Sequence, residues 1–183
     1  MKRYLVVLLA LCISGCASFG SNEPLTMVER VELDRYMGEW FVIANIPYFG
    51  ERGNLAGRAI YRPRDDGRMD DIYLYKEGDF DQPDQRMEGV AWVVDEQTNA
   101  RWKVRFFWPF RFDYVIIELD EDYQWVVVGH PSRDYAWIMA REPQMEPSLY
   151  QDLLERLDAQ GFDSGALRKV AQFPDQVGQP GFQ

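Results

Sequence analysis

The sequence predicts an all-β fold: an eight-stranded antiparallel up-and-down β-barrel with a C-terminal α-helix packed outside it. Eight short apolar or alternating runs follow one another at intervals of about ten residues, and turn residues (Asp, Asn, Gly and Pro) separate them. No helical stretch of ten or more residues interrupts the runs, which excludes parallel pairing because parallel strands need such crossovers. The periodicity alone also fits a two-sheet sandwich, so that alternative stays open at this level.

The N-terminal residues are typical of an export signal. Lys2 and Arg3 precede the apolar run 4–13, and small residues then lead to Cys16. This run is shorter than the roughly 18 apolar residues of a membrane-spanning helix. We therefore expect residues 1–15 to be a signal peptide that is removed, with an uncleaved membrane anchor as the competing interpretation.

The end of this segment, Ile13-Ser14-Gly15-Cys16, resembles the lipobox of bacterial lipoproteins. By that resemblance Cys16 is acylated and becomes the first residue of the mature chain, and residues 16–31 form a lipidated N-terminus and tether. Several acyl chains together hold a protein stably on a membrane. Ala17 stands where an inner-membrane retention signal places Asp, so the resemblance points to the periplasmic face of the outer membrane of a Gram-negative bacterium. A cysteine present by chance is the alternative.

Charge and cysteine content restrict the partners. Removing Lys2 and Arg3 from the 20 basic residues leaves 18 against 30 acidic ones, a formal charge of −12. We therefore expect no nucleic-acid partner. Cys12 lies in the removed segment, so Cys16 is the only cysteine of the mature chain and the domain cannot contain a disulfide. Residues 32–183 are long enough for one domain with a sizeable core.

The predicted strands alternate between a buried and an exposed face. The clearest case is the fifth, in which Trp102, Val104 and Phe106 share one face and Lys103 and Arg105 share the other. Closing such a series into a barrel removes its edges and can leave room for one small ligand. The eight strands are predicted at 39–46, 55–62, 70–77, 88–95, 101–107, 113–119, 123–129 and 135–141.

A helix is predicted after the strands, over residues 146–161. Pro147 suits a helix start and Gly161 a helix end. One face of the helix is apolar and should pack on the outside of the barrel; it consists of Leu149, Leu153, Leu154 and Leu157. Residues 162–173 are expected to be a final extended piece.

Three motifs occur in order at matching strand positions: Gly38-Glu39-Trp40, the turn Leu119–Tyr123, and Arg141 at the end of the eighth strand. With them the chain resembles the lipocalins, most closely the bacterial outer-membrane lipocalins, over most of its mature length. The resemblance implies that Trp40 plugs one end of the barrel and that Arg141 lies across its ring as a cation–π pair. The residues implied in barrel closure are Gly38, Trp40, Asp120, Tyr123 and Arg141.

If Trp40 marks the closed end, alternate connections form the open end, at residues 47–54, 78–87, 108–112 and 130–134. These loops carry an aromatic rim with a few cations. The residues expected at a ligand head group are Phe49, Arg52, Trp108 and Arg111. An apolar lining with few groups able to hold a charge is expected inside, from Trp102, Val104, Phe106, Tyr114, Ile116, Trp137 and Met139.

Such a lining suits a hydrocarbon chain, since each buried CH₂ gains about 0.8 kcal/mol over water. We expect a fatty acid or a lysophospholipid as ligand, and a role in envelope maintenance or membrane stress, which the resemblance suggests. An envelope interaction or structural lipoprotein with a barrel filled by its own side chains is the alternative. Oligomeric state is left open, a homodimer included.

Catalytic and metal-binding patterns are weak. His130 is the only histidine, and it crowds one tight loop with Ser132 and Asp134, which gives no nucleophile elbow. We expect no enzyme, no cofactor and no metal site. Acidic pairs such as Asp70-Asp71 are interpreted as turns and solvated faces.

Overall fold

Eight antiparallel strands close on themselves in the computed structural model, which describes residues 23–183. Closure is achieved by β1, which pairs with β2 on one side and with β8 on the other. The predicted barrel is confirmed, and the sandwich alternative is wrong because a sandwich leaves these edges unpaired. The barrel strands are β1 Gly38–Ile46, β2 Asn54–Pro63, β3 Met69–Glu77, β4 Gln85–Val93, β5 Arg101–Arg105, β6 Phe112–Leu119, β7 Trp125–Gly129 and β8 Ala136–Ala140.

All strand boundaries but one fall within two residues of the predicted ones; the exception is the start of β4, at Gln85 instead of residue 88. A two-residue difference at β7 has a local cause. Tyr123 was expected in β7 but lies in the β6–β7 turn with φ of +60°. The Asp120 carboxylate shapes that turn, because it accepts hydrogen bonds from the backbone N–H groups of Asp122 and Gln124. The strand therefore starts only at Trp125.

Two apolar cores follow from the alternation of the strands. In β7, Val126 and Val128 belong to the core inside the barrel, whereas Val127 belongs to the core on its outer wall. The outer core is covered by α2 (Pro147–Ala159), which buries Leu153 and Leu157 as predicted. Leu149 and Leu154 are partly buried beside them.

The C-terminal segment fills a gap in the barrel wall. The short strand β9 (Arg168–Lys169) pairs with Ala44 and Asn45 of β1, beyond the point where β1 and β2 separate. Nearby, Gln172 donates from Nε2 to the carbonyl oxygens of Val42 and Gly57, at 2.8 and 3.0 Å. The extended piece predicted after α2 thus begins with a 3₁₀ turn (Ser164–Ala166) and then closes the seam between β1 and β2.

The segment preceding β1 also contacts the barrel. From residue 23 onward the predicted tether lies along the outer wall, where the Val28 N–H donates to the Ile116 carbonyl oxygen at 3.2 Å. Leu25 and Val31 are buried. The predicted signal peptide, Cys16 and the first part of the tether lie outside the described residues.

The closed end is organised by Arg141. Its guanidinium carbon lies 3.7 Å from the ring centroid of Trp40, and Trp40 is fully buried. The indole N–H of Trp40 donates to the carbonyl oxygen of Tyr36 at 2.8 Å, in the short helix α1 (Leu33–Tyr36) that sequence analysis missed. The guanidinium also donates to a ring of backbone carbonyl oxygens, those of Arg35, Tyr36, Met37, Glu39 and Tyr123.

The other residues expected at barrel closure lie at the same end. Gly38 has φ of +98°, and a Cβ there would come 3.4 Å from the Arg141 guanidinium. The Tyr123 hydroxyl accepts the Glu32 N–H at 2.8 Å. Glycine is needed where the chain both turns left-handed and passes under the arginine.

We expect Arg141→Lys to lower the free energy of unfolding by about 2 kcal/mol or more, because lysine keeps the charge but cannot reach a ring of carbonyl groups with a planar fork. Urea unfolding monitored by circular dichroism measures this. The matched control is Arg156→Lys on α2. Its guanidinium makes surface ion pairs with Glu118 and Asp152 and lies 6.0 Å from the Trp125 ring, and the substitution should cost less than about 0.5 kcal/mol. Equal losses in the two variants would contradict the role given to Arg141.

Candidate functional site

The closed half of the barrel is filled by its own aromatic side chains. Trp102 stacks on Tyr114 with 5.0 Å between ring centroids, and both meet Tyr61 edge to face. The Tyr114 hydroxyl is 2.6 Å from that of Tyr36 and 3.0 Å from that of Tyr61. Burial raises the pKa of all three tyrosines well above the usual value, so these hydroxyls remain protonated hydrogen-bonding groups.

The predicted lining residues divide between two levels of the interior. Trp102 and Ile116 are fully buried and Tyr114 is 8% exposed. The Ile116 backbone N–H donates to the carbonyl oxygen of Ala100 at 2.8 Å, next to the β4–β5 loop of the closed end. Met139 lies opposite Val42, also buried. The remaining predicted lining residues, Val104, Phe106 and Trp137, lie nearer the open end.

The open half is lined by aromatic and sulfur-containing side chains that sequence analysis missed; Tyr73 is buried, and Tyr48, Tyr75 and Met87 are half-buried. Tyr73 and Tyr75 on β3 stack at 5.1 Å, and the Tyr48 hydroxyl lies 3.8 Å from the Met87 sulfur. Alternation along β3 and β4 could have found Tyr73, Tyr75 and Met87, since each stands two residues from another inward-facing position.

The ring of Phe106 packs against the backbone of β4 at Gly89 in this half of the barrel. A Cβ at Gly89 would stand 2.8 Å from the Phe106 ring, so the glycine lets the ring lie flat on β4. Phe106 and Trp137 are partly buried against the inner core. They give the open half an apolar surface that its own side chains do not completely cover.

Two carboxyl groups are buried inside the barrel, against the expectation of a lining with few charge-holding groups. Glu51 is 5% exposed. Its carboxyl accepts hydrogen bonds from the Trp137 indole N–H at 3.0 and 3.1 Å and from the Asn45 side-chain amide at 3.2 Å. Burial raises the pKa of Glu51 to about 7, and the hydrogen bonds only partly offset that rise.

Asp71 is the second buried carboxyl group, with 5% exposure. It projects inward from β3 between Met69 and Tyr73, and none of the hydrogen bonds found among residues 23–183 reaches its side chain. Burial raises the pKa of Asp71 to about 7. Interpretation of Asp70-Asp71 as a solvated pair is therefore wrong for Asp71, whereas Asp70 does face outward and pairs with Arg64 at 2.6 Å.

The four residues expected at a ligand head group lie around the open end without converging on it. Phe49 and Trp108 are 86% and 83% exposed, on loops at opposite sides of the mouth, and Arg52 is exposed. The Arg111 guanidinium carbon lies 5.6 Å from the ring of Trp92, which projects from the outer face of β4. Arg111 is thus directed along the outer wall rather than into the barrel.

His130 and Ser132 meet in the β7–β8 loop, with 2.8 Å between Nδ1 and Oγ. Nδ1 also accepts the Ser132 backbone N–H at 3.2 Å, a contact that stabilises the turn. Within residues 23–183 no group of three or more His, Cys, Asp or Glu side chains is placed to hold a metal ion. No helix in that range is long and apolar enough to cross a membrane.

A barrel with one end plugged, one end open and an incompletely covered apolar interior defines a binding protein for small hydrophobic molecules. Residues 31–172 match the family model described as a lipocalin-like domain. The chain belongs to the lipocalin family, whose members bind and transport small hydrophobic ligands.

Curated relatives include bacterial proteins that match this chain over most of their own length. The outer membrane lipoprotein Blc of Vibrio cholerae is 32% identical over 176 residues, which cover 94% of this chain and 99% of that protein. Blc of Escherichia coli is 34% identical over 157 residues, 84% of this chain and 86% of that protein. Temperature-induced lipocalin-1 of Arabidopsis thaliana is 32% identical over 160 residues, with 82% and 84% covered.

Solved structures with the same fold come from animals. Insecticyanin of the tobacco hornworm Manduca sexta has a TM-score of 0.64 at 14% identity, covering 81% of this chain and 84% of that one. Lobster apocrustacyanin A1 has a TM-score of 0.62 at 12% identity, with 78% and 80% covered. At these identities the likeness establishes the fold alone.

We expect Asp71 to make the stability of the protein depend on pH. Its pKa is raised in the folded state, so between about pH 4 and pH 7 the folded protein holds a proton that the unfolded chain has released, and stability falls as pH rises. In Asp71→Asn the free energy of unfolding should fall less between pH 5 and pH 8, by about 2 kcal/mol. Urea unfolding at the two pH values measures the difference.

Asp70→Asn on the outer face of the same strand is the control and should leave the pH dependence unchanged. Part of the pH dependence of the free energy of unfolding should remain in both variants, because burial also raises the pKa of the Glu51 carboxyl. Parallel pH profiles for natural chain and Asp71→Asn would show that Asp71 is ionised and solvated in the folded protein.

Proposed function

We propose that this protein is an outer-membrane lipoprotein, anchored through acylated Cys16 and facing the periplasm, that reversibly binds a fatty acid or a lysophospholipid. The single observation that carries the ligand proposal is the contrast between the two halves of the barrel. Aromatic side chains fill the closed half, whereas Tyr75, Met87, Phe106 and Trp137 leave a partly uncovered apolar surface in the open half. The names of the bacterial relatives support the location.

The depth of this surface limits how the ligand enters. An acyl chain threaded from the mouth meets the tyrosine and tryptophan cluster before it reaches Trp40. The chain therefore lies in the open half, where each buried CH₂ gains about 0.8 kcal/mol over water. A bilayer gives nearly the same gain, so the protein exchanges lipid with a membrane rather than trapping it.

The two buried carboxyl groups determine which end of the ligand stays outside the barrel. Glu51 and Asp71 lie inside the barrel, where the same burial that raises the pKa of their carboxyl groups would also penalise an anionic head group. A fatty-acid carboxylate or a lysophospholipid phosphate is therefore held outside, at the rim, where Arg52 is exposed. Arg111 is a weaker candidate than the sequence indicated because of its direction along the outer wall.

A second candidate function is favoured by the filled closed half: an envelope interaction lipoprotein whose barrel binds no lipid. Five aromatic residues already occupy that half (Tyr36, Trp40, Tyr61, Trp102 and Tyr114). If the side chains of the open half close over the remaining surface, the barrel becomes a scaffold only.

Native mass spectrometry of the Cys16→Ser mature chain, titrated with lysophosphatidylcholine and with palmitate, distinguishes the two candidates. We expect one lipid per protein, and Phe106→Ala should weaken binding by about tenfold because one half-buried ring is lost from the lining. The matched control is Phe41→Ala, since Phe41 packs in the outer core and should leave lipid affinity unchanged. A protein that takes up neither lipid would contradict the carrier proposal and favour the second candidate, a barrel that binds no lipid.

A further inference from the structure

We propose that the open end of the barrel docks on the surface of a lipid bilayer, with the exposed rings of Phe107, Trp108 and Phe110 inserted among the head groups. We call residues 106–112 the aromatic loop. This inference rests on the proposed function for its anchor, Cys16, but the docking surface itself is formed by described residues. A bilayer is the occupant that the following three observations favour.

The first observation is the concentration of exposed apolar surface at one end. Seven large apolar side chains are exposed among residues 23–183, and five of them border the mouth. Phe107, Trp108 and Phe110 in the aromatic loop are 62%, 83% and 64% exposed. Phe49 stands across the mouth and Phe112 begins β6. Apolar patches of this kind mark contact sites for other molecules or membranes.

The second observation is the position at which the chain enters the domain. The Arg133 guanidinium, in the β7–β8 loop at the open end, donates to the Glu23 carbonyl oxygen at 2.8 Å and to the Gln160 carbonyl oxygen at 2.6 Å. Gln160 in turn accepts the Thr26 N–H through its side chain at 3.0 Å. The chain then runs down the wall to the closed end, where the Val31 N–H donates to Thr98.

This entry point determines which end the anchor can hold near the membrane. Cys16 precedes Glu23 by seven residues, which span at most about 25 Å when fully extended. A nine-residue strand such as β1 is itself about 30 Å long. Barrel strands tilt by about 35–45°, so β1 spans roughly 23 Å along the barrel axis. An acylated Cys16 therefore keeps the open end within easy reach of the bilayer, whereas the closed end reaches it only when residues 16–23 are almost fully extended.

The third observation is the charge beside the aromatic loop. Arg105 and Arg111 lie 6.0 and 5.6 Å from the ring of Trp92 on the outer wall. Neither Arg105 nor Arg111 takes part in the ion pairs found among residues 23–183. In a strongly acidic protein, two arginines free of carboxylates next to exposed aromatic rings complement lipid phosphates.

Docking in this orientation explains how a lipid carrier can work beside a membrane. The mouth meets the head groups directly, so an acyl chain passes between bilayer and barrel without crossing water. Repulsion of the acidic remainder of the surface from anionic lipids keeps the contact confined to the mouth.

Vesicle co-sedimentation of the Cys16→Ser mature chain tests the proposal without the anchor. The probes are vesicles of phosphatidylcholine alone and of phosphatidylcholine with phosphatidylglycerol. We expect Phe107→Ser/Phe110→Ser to lower the partition coefficient by about tenfold or more on both, since two inserted rings are lost. Val94→Ser is the control, because Val94 is also exposed but lies in the β4–β5 loop at the closed end.

Arg105→Gln/Arg111→Gln should lower binding mainly to the vesicles that contain phosphatidylglycerol. Equal partitioning of the natural chain, the aromatic double variant and Val94→Ser would overturn the proposal. Sedimentation velocity gives the other contrary outcome: a dimer that the aromatic double variant dissociates, with no vesicle binding, would assign the patch to a second copy of the chain.

Lipid uptake is measured on the same samples by native mass spectrometry with lysophosphatidylcholine below its micelle concentration. The aromatic double variant should still take up lipid, because the substituted side chains project away from the interior. Docking without uptake would contradict the carrier function and leave the docking surface established. Lipid uptake without vesicle docking would support the carrier function and contradict the docking surface.

Discussion

The contact between Arg141 and Trp40 is the interaction on which the rest of the barrel depends. An arginine that donates to backbone carbonyls of α1, β1 and the β6–β7 turn joins three separate parts of the chain at one point. Burying a tryptophan beneath a partly desolvated guanidinium is favourable by about 1–2 kcal/mol, and the carbonyl ring fixes the position of the cation. Because this end is sealed, water and ligand can enter only from the other end.

Sealing one end also determines what the interior can hold. The tyrosine hydroxyls satisfy one another, so the closed half needs no solvent, and its stacked rings leave the open half as the place for a ligand. Glu51 and Asp71 then set a second constraint, since a buried carboxyl with a pKa near 7 is tolerated more readily as a neutral acid. The same desolvation that costs stability at high pH discourages an anionic head from entering the barrel.

The sequence predicted the parts of this structure that follow from local chemistry. Alternation and turn residues located all eight barrel strands, and the resemblance located Trp40 and Arg141 correctly at one end. Local sequence patterns do not show which strand edge is left without a partner, so the segments that fill such an edge were not predicted. Examples are β9, which fills the gap between β1 and β2, and the docking of residues 23–31 on the wall.

The candidate site was predicted less completely, for a physical reason. Alternation along a strand assigns a residue to the inner face of the barrel, but its depth along the barrel axis depends on strand tilt and register. Trp102 and Val104 therefore looked equivalent in the sequence. In the structure Trp102 lies in the aromatic cluster of the closed half and Val104 lies nearer the mouth. Asp71 was missed because an acidic residue beside a turn is normally solvated, and only the inward position of Met69 and Tyr73 on either side shows that it is buried. The direction in which a rim side chain points also depends on tertiary contacts: Arg111 was expected at the mouth but extends along the outer wall to Trp92.

The open end unites the three constraints. The barrel is sealed at the Trp40 end, and at the other end the β5–β6 connection carries rings that no core residue covers. The path of residues 23–31 starts at that same end, so Glu23 and the exposed aromatic loop lie at one end of the molecule. The seal at Trp40, the apolar surface above it and the exposed rim on which the docking proposal rests are therefore consequences of a single asymmetry along the barrel axis.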